Sequence, residues 1–188
     1  KLSQIIARLE SIYCGTLAVE FTDCPADIQR WMLKEMEQSE FQIETQDKKE
    51  YLTALIKGEA LEKLIHTRFV GAKRFSIEGG DAMLPMMEHL LRIGVAEGMQ
   101  EVVLGMAHRG RVNMLATYCR KPKDLIFAEF DGMASPNQGY VADGDVKYHM
   151  GYSSDREIRG SKIHLSMAFN PSHLEAVDPV VCGMARAK

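Results

Sequence analysis

The sequence predicts an α/β fold, a helical N-terminal region followed by the start of a parallel-sheet domain. Three observations predict it. The first hundred residues carry apolar side chains at three-and-four spacing. Two short strand-like runs, "EVVLGMA" at 101–107 and "SKIHLSMAF" at 161–169, come only afterwards. Each run leads into a helical pattern, and strand, helix, loop, strand, helix is the order that builds parallel sheets. The expected division is a helical region over residues 1–72 and an α/β region over 73–188.

The elements follow in order. In "KLSQIIARLESIY", Leu2, Ile5, Ile6, Leu9 and Ile12 trace one face expected to be buried. "TDCPADIQRWMLKEME" has Asp23 and Pro25 near a helix start, with Ile28, Trp31, Met32 and Met36 as the stripe. "DKKEYLTALIKGEALEKLIHTRF" reads as two short helices meeting at Gly58, with His66 a surface or packing histidine. Gly79 and Gly80 mark a turn, Asp81 is the expected N-cap, and Pro85 falls in the tolerated first turn. Met83, Met86, Met87, Leu90 and Leu91 then form an expected core face, since methionine fills irregular gaps. His89 has the same packing assignment. "EVVLGMA" is short, β-branched at its centre and bounded by glycine, hence a buried strand. A helix runs to about Tyr118, and "KPKDLIFAEF" suggests another. Residues 131–151 hold four glycines and a proline and read as a long loop. "SKIHLSMAF" alternates as a strand with His164 packed or at an edge, and "NPSHLEAVDPVVCGMARA" begins a helix.

At 188 residues and 46% hydrophobic content the chain is long enough for one core. A net charge of −3 and a pI near 6.1 give no general attraction to nucleic acid or an anionic membrane. Cys14, Cys24, Cys119 and Cys182 form no CxxC pair, which favours a reduced compartment, bacterial cytoplasm or mitochondrial matrix, over a disulfide or zinc framework. No apolar run approaches the roughly 20 residues that cross a bilayer. The chain begins at Lys1 and ends at Lys188 inside a helical pattern, so it is expected to be a piece of something longer.

Polar groups converge where the two strands end. "EVVLGMA" opens onto His108, Arg109 and Arg111, and "KIHLSMAF" onto Asn170, Ser172 and His173. Ligands of open parallel sheets bind beyond the carboxyl ends of the strands. If the two strands are neighbours, His108, Arg109, Asn170, Ser172 and His173 share one rim. Helix N-termini there favour an anion, and histidine adds a group that switches near neutral pH. The cluster suits a ligand carrying phosphate or carboxylate. A plainer alternative makes Asn170 or Ser172 a helix cap. Gly144-Asp145 with Asn170 imitates a GDG…N metal motif, but Val146 replaces the last glycine and no buried strand precedes it, so no metal ligand is assigned.

"RFSIEGGDAMLPMM", "EVVLGMAHRGRVNML", "GDVKYHMGYSSD" and "LSMAFNPSHLEAVDPVVCGMARAK" closely resemble the 2-oxoglutarate dehydrogenase E1 family, thiamine-diphosphate-dependent 2-oxoacid decarboxylases. The likeness is strong from about Lys73 to Lys188 and weaker before it. It implies that residues 73–188 are the first part of the α/β thiamine-diphosphate-binding (PP-type) domain, truncated at its C-terminal end. It implies decarboxylation of 2-oxoglutarate and transfer of a succinyl group to lipoamide of an E2 dihydrolipoyl succinyltransferase, within the tricarboxylic acid cycle. His108 and His173 would face the 2-oxoacid, and Arg109 would help hold thiamine diphosphate. Mg2+ would be bound by residues outside this stretch, and the sites would form across a homodimer, so the piece alone is expected to be inactive. Two other functions fit the same residues, a 2-oxoadipate-type E1 and a noncatalytic partner-docking module.

Overall fold

The computed structural model describes residues 1–38, 43–132, 149–169 and 173–188. In chain order its elements are α1 (Leu2–Tyr13), α2 (Ala26–Gln38), α3 (Thr45–Arg68), α4 (Met83–Ala96), β1 (Glu101–Leu104), α5 (Arg111–Thr117), α6 (Lys123–Phe130), β2 (Tyr152–Ile158), β3 (Ser161–Met167) and α7 (Leu174–Ala187). Two compact units result, residues 1–44 and 45–188. Asp145, most of the expected 131–151 loop, Asn170 and Ser172 lie outside the described residues.

The first unit pairs α1 with α2. Arg8 Nη2 donates to the Glu37 carbonyl and Tyr13 Oη to Glu37 Oε1, each at 2.7 Å. The face expected to be buried on α1 is not buried. No α1 residue is buried, and Leu2 is 73% exposed. On α2, Trp31 is exposed and Met36 is the buried residue. Periodicity located both helices correctly, but one neighbouring helix covers too little of either stripe.

In the second unit, α3 is one continuous helix of 24 residues where the sequence suggests two. Gly58 does not break it. A Cβ there would lie 2.2 Å from Leu84 Cδ1, so the glycine lets α4 approach α3 closely. A mid-helix glycine costs about 1 kcal/mol of propensity, which tertiary packing can override. One turn on, buried Glu62 ties three segments together. Its Oε1 accepts from Ile77 N at 3.2 Å and Asn113 Nδ2 at 3.1 Å, and its Oε2 from Arg74 Nε at 3.2 Å. Asn113 Nδ2 also donates to the Gly58 carbonyl at 3.0 Å.

Asp81 does not cap α4. The N-cap is Ala82, and Asp81 Oδ2 accepts from Gly79 N at 3.0 Å, closing the turn instead. On α4 the buried residues are Leu84 and Leu91, while Met86 and Leu90 are exposed and Met83 and Met87 pack at the core margin. The apolar arc is therefore rotated from the expected one.

The sheet is three-stranded, ordered β1-β3-β2, and mixed. β1 and β3 are parallel, as the sequence order suggests. β2, which the sequence reading missed, pairs antiparallel with β3 through a two-residue turn at Arg159 and Gly160. Both turn residues have positive φ, 52° and 82°, as a type I′ hairpin requires. β2 escaped notice because its inward positions include Ser154 and Arg156, which an apolar pattern does not register. Ser154 Oγ donates to the Cys119 carbonyl at 2.6 Å, and Arg156 pairs with Glu88 at 2.9 and 3.0 Å. β1 is half-buried rather than fully buried, with Glu101 exposed.

Two apolar clusters flank α5. Met114 and Leu115 join Leu91, Ile163 and Leu165 under the sheet, whereas Val112 and Ala116 join Leu61, Ile65 and Ile126. Six consecutive α5 residues, Arg111 to Ala116, are buried. α7 packs against β1, and a Cβ at Gly105 would stand 2.7 Å from Val181 Cγ2 of that helix.

Two expected outcomes follow from this packing. Glu62→Leu removes the acceptor of three donors, and breaking a buried charged pair by deleting one partner costs about 3–5 kcal/mol. Urea unfolding should show that loss as a lower midpoint, while Glu59→Gln, in an exposed pair with Lys63, should leave the midpoint close to the wild-type value. Equal effects from the two substitutions would refute the structural role of Glu62. The second concerns the thiols. Cys14 and Cys182 are exposed, Cys24 is intermediate, and Cys119 is buried, its thiol pushed by burial from 9.0 to about 11. A thiol reagent should label Cys14 and Cys182 first and Cys119 only on unfolding, four in all from the denatured, unreduced chain. Because the folded pKa is raised, this thiol's contribution to stability is full below pH 9.0 and lost as pH rises to about 11. Rapid native labelling of Cys119 would contradict its placement.

Candidate functional site

β1 and β3 run in register from Glu101↔His164 to Leu104↔Met167, so both end at one edge of the sheet. β2 is antiparallel and starts there, with Tyr152 opposite Met167. Three chain segments therefore meet at this edge, after Leu104, before Tyr152 and after Met167. The ladder continues briefly past β3, where Ala168 N donates to the Leu104 carbonyl at 2.9 Å.

One side chain joins the three segments. Arg111, in the first turn of α5, is 0% exposed. Its Nη1 donates to the Met106 carbonyl at 2.9 Å, its Nε and Nη2 to the Met150 carbonyl at 3.3 and 2.8 Å, and its Nη2 also to the Ala168 carbonyl. No carboxylate pairs with it among the described residues. Burial lowers its pKa below the usual guanidinium value, yet arginine does not lose its proton in proteins. A cation thus sits beneath the rim, solvated by backbone carbonyls. The sequence reading names Arg111 among the polar groups that follow β1 but gives it no site role, and the structure buries it against three main-chain carbonyls.

His108 lies two residues past the Met106 anchor. It is half-buried, its ring centroid 4.1 Å from that of Phe75 at an interplanar angle of 49°. Phe75 has a φ of 44°, a left-handed conformation unfavourable for an aromatic residue. Its carbonyl accepts from Gly110 N at 2.7 Å. Gly110 has a φ of 73°, and a Cβ there would approach Ile77 Cγ1 to 3.0 Å, so the HRG turn needs its glycine. Arg109 is exposed and donates from Nη1 to the Ser76 carbonyl at 3.1 Å. His173 is the exposed N-cap of α7, with no side-chain capping bond. Its carbonyl accepts from Ala176 N at 3.0 Å and Val177 N at 3.1 Å. Asn170 and Ser172, between Ala168 and His173, fall outside the described residues.

A residue that sequence reasoning missed is His149. It immediately precedes Met150, whose carbonyl Arg111 holds, and it is half-buried at the start of the β2 side of the rim. The signal lay in "YHMG" followed by an alternating run, legible only once β2 is recognised as a strand.

The remaining histidines have other surroundings. His66 Nδ1 lies 2.8 Å from Arg74 Nη1. His89 Nδ1 lies 2.6 Å from Tyr51 Oη and 2.8 Å from Arg92 Nη2, a polar contact where apolar packing was expected. His164 pairs across the strands with Asp155 at 2.7 Å. A cavity of about 200 Å3 opens elsewhere, between α3, α4 and the end of α5, beside Lys57, Glu88, Arg92 and Arg120. Its carboxylates are paired, Glu88 with Arg156 and Glu50 with Arg92. The rim, with an exposed guanidinium and imidazoles beside a buried cation, has the chemistry of an anion site.

No family model matches the chain. Curated proteins do. It is 46% identical over 190 residues to the 2-oxoglutarate dehydrogenase E1 component of Rickettsia felis, covering 100% of this chain and 19% of that protein. Against the protein of the same name from Brucella anthropi the identity is 44% over 98% of the chain and 19% of the relative. For Rickettsia prowazekii it is 42% over 100% of the chain and 20% of the relative. The chain spans about one fifth of the length of the relatives it matches. Along its whole length, this chain is thus homologous to a segment of the 2-oxoglutarate dehydrogenase E1 components.

Proposed function

We propose that this chain supplies part of the active site of a thiamine-diphosphate-dependent 2-oxoglutarate decarboxylase subunit. Residues 73–188 would form the first part of its cofactor-binding domain. The observation that carries this reading is the shared edge of β1 and β3, beyond which the HRG turn and His173 both lie. Full-length similarity to proteins named 2-oxoglutarate dehydrogenase E1 component supports it.

The donor set fits an anionic cofactor on one side. Arg109 is exposed, and of its five N–H donors one is engaged by a described acceptor, the Ser76 carbonyl. Glu175, in the first turn of α7, works against an anion there, so the diphosphate is assigned to Arg109 and not to that helix end. Thiamine diphosphate, when bound, supplies the electron sink for loss of carbon dioxide. His108, His149 and His173 would bind and orient the 2-oxoacid, donating to its carbonyl oxygen or moving a proton there. The strained Phe75 backbone and its ring hold the His108 imidazole in one orientation. Arg111 adds positive potential under the substrate carboxylates without touching them. Transfer of the succinyl group to lipoamide of an E2 partner, completion of the site in a homodimer and Mg2+ binding by residues elsewhere belong to the same proposal. So does a reduced compartment, bacterial cytoplasm or mitochondrial matrix, which the dispersed free thiols favour.

Two measurements test this reading. In a full-length subunit assayed with 2-oxoglutarate and 2-oxoadipate, His108→Ala, His149→Ala and His173→Ala should each lower kcat/KM with little change in melting temperature. Losing one hydrogen bond to a charged group removes roughly 1.5–3 kcal/mol, or about 10- to 150-fold in rate. His66→Ala should leave kinetics at the wild-type value. If His173→Ala melts early yet turns over normally, its substrate role is wrong. Secondly, the isolated 188-residue chain given thiamine diphosphate and Mg2+ should show no decarboxylation; measurable turnover would mean that the site needs nothing beyond it.

A further inference from the structure

We infer that Arg111 is a positioning residue of the rim, setting the catalytic geometry of His108 and His149 from beneath, without meeting substrate. This inference rests on the decarboxylase reading of the rim and adds to it a residue that the ligand never touches.

The geometry is specific. Met106, Met150 and Ala168 are far apart in sequence, and their carbonyls converge on one planar guanidinium. Each carbonyl belongs to a segment carrying a rim residue or leading to one. Met106 is two residues before His108, Met150 directly follows His149, and Ala168 is the last residue but one before the 170–172 stretch. Each held carbonyl lies in a planar peptide unit, joining Met106 to Ala107, Met150 to Gly151 and Ala168 to Phe169, so the guanidinium pins backbone next to each histidine, not the histidines' own peptide units. A second contact reinforces the first segment, since Arg111 N donates to the His108 carbonyl at 3.0 Å. The arginine thus holds His108 at both ends of the short turn, by main chain at one and guanidinium at the other.

Arginine suits this task and lysine does not. The guanidinium offers five N–H groups in a fixed plane, four of whose hydrogen bonds are made here to three carbonyls. An ammonium keeps the charge but offers three donors from one atom, with no fixed plane. Arg111→Lys therefore preserves the buried cation while loosening the three segments. A misplacement on the order of 1 Å in a catalytic group costs about 100-fold in rate, so small shifts suffice.

A double-mutant cycle in the full-length enzyme separates positioning from simple stability. Arg111→Lys should lower kcat for 2-oxoglutarate by about 10- to 100-fold at a temperature where the variant is folded, with KM changed far less. In the His108→Ala background the same substitution should lower kcat by less than about threefold, because the group it positions has gone. Equal fold-losses in both backgrounds, or a wild-type kcat for Arg111→Lys, would overturn the positioning role. A wild-type kcat/KM for His108→Ala would instead overturn the decarboxylase reading of the rim, and this inference with it. Should Arg111→Lys not fold, Gly151→Ala takes its place in a cycle with His149→Ala. Its Cβ would stand 2.8 Å from the Met167 carbonyl, displacing the Met150 segment while leaving the guanidinium intact. Coupling between Gly151→Ala and His149→Ala would sustain the inference, and additivity would overturn it.

Discussion

The structure around the sheet depends on one buried charge. Moving an ion out of water costs several kcal/mol even after relaxation, and Arg111 offsets that with carbonyl dipoles in place of a carboxylate. The arrangement constrains everything near it. All three carbonyls must face inward at one level, so β1, β3 and the hairpin arm of β2 have to end together. The register of the sheet obeys that requirement, with Leu104 and Tyr152 both opposite Met167. Charge-assisted hydrogen bonds of about 1.5–3 kcal/mol each make the cluster cooperative, since losing any one segment leaves the charge less compensated.

α5 delivers that charge, and the rest of the second unit holds α5. Its apolar residues divide between two clusters, one below the sheet and one against α3 and α6. Its polar residue Asn113 is satisfied by Gly58 and Glu62 of α3. Glu62 reaches on to Ile77 N, close to the segment that carries Phe75 and Ser76. Those two residues contact His108, Gly110 and Arg109. Buried polar contacts therefore run from the middle of α3 to Ile77 N, and the neighbouring Phe75 and Ser76 carry the connection on to the rim. Such networks are worth having only when every member is satisfied, which explains why Gly58, Glu62 and Asn113 occupy one crossing with so little freedom of size.

Much of the rim was legible in the residues. His108, Arg109 and His173 stand out because polar groups follow two apolar runs, and a parallel sheet brings such ends together. Arg111 and His149 were not legible in the same way. Nothing local separates Arg109, which is exposed, from Arg111, which is fully buried two positions later. The distinction arises because α5 starts at Arg111, pointing one guanidinium inward and leaving the other on the turn. His149 gained a place beside the rim only once β2 was seen to begin close to it. The hairpin itself hides its inward positions behind Ser154 and Arg156, whose partners, Cys119 and Glu88, are 35 and 68 residues away in sequence.

The amino-acid sequence alone determined where the helices lie, that two strands each open onto polar residues, and which family the motifs resemble. These are properties of local periodicity, turn chemistry and residue order, which each stretch carries by itself. Tertiary structure decided the rest. It made α3 one helix through Gly58, exposed Leu2 and Trp31 on stripes that look like core, turned Asp81 from a helix cap into a turn acceptor and made the sheet mixed. It also divided two neighbouring arginines between surface and interior. The physical reason is common to all of these. Burial and hydrogen-bond satisfaction are set by groups distant in sequence, and no local pattern records which distant carbonyl or side chain will be there.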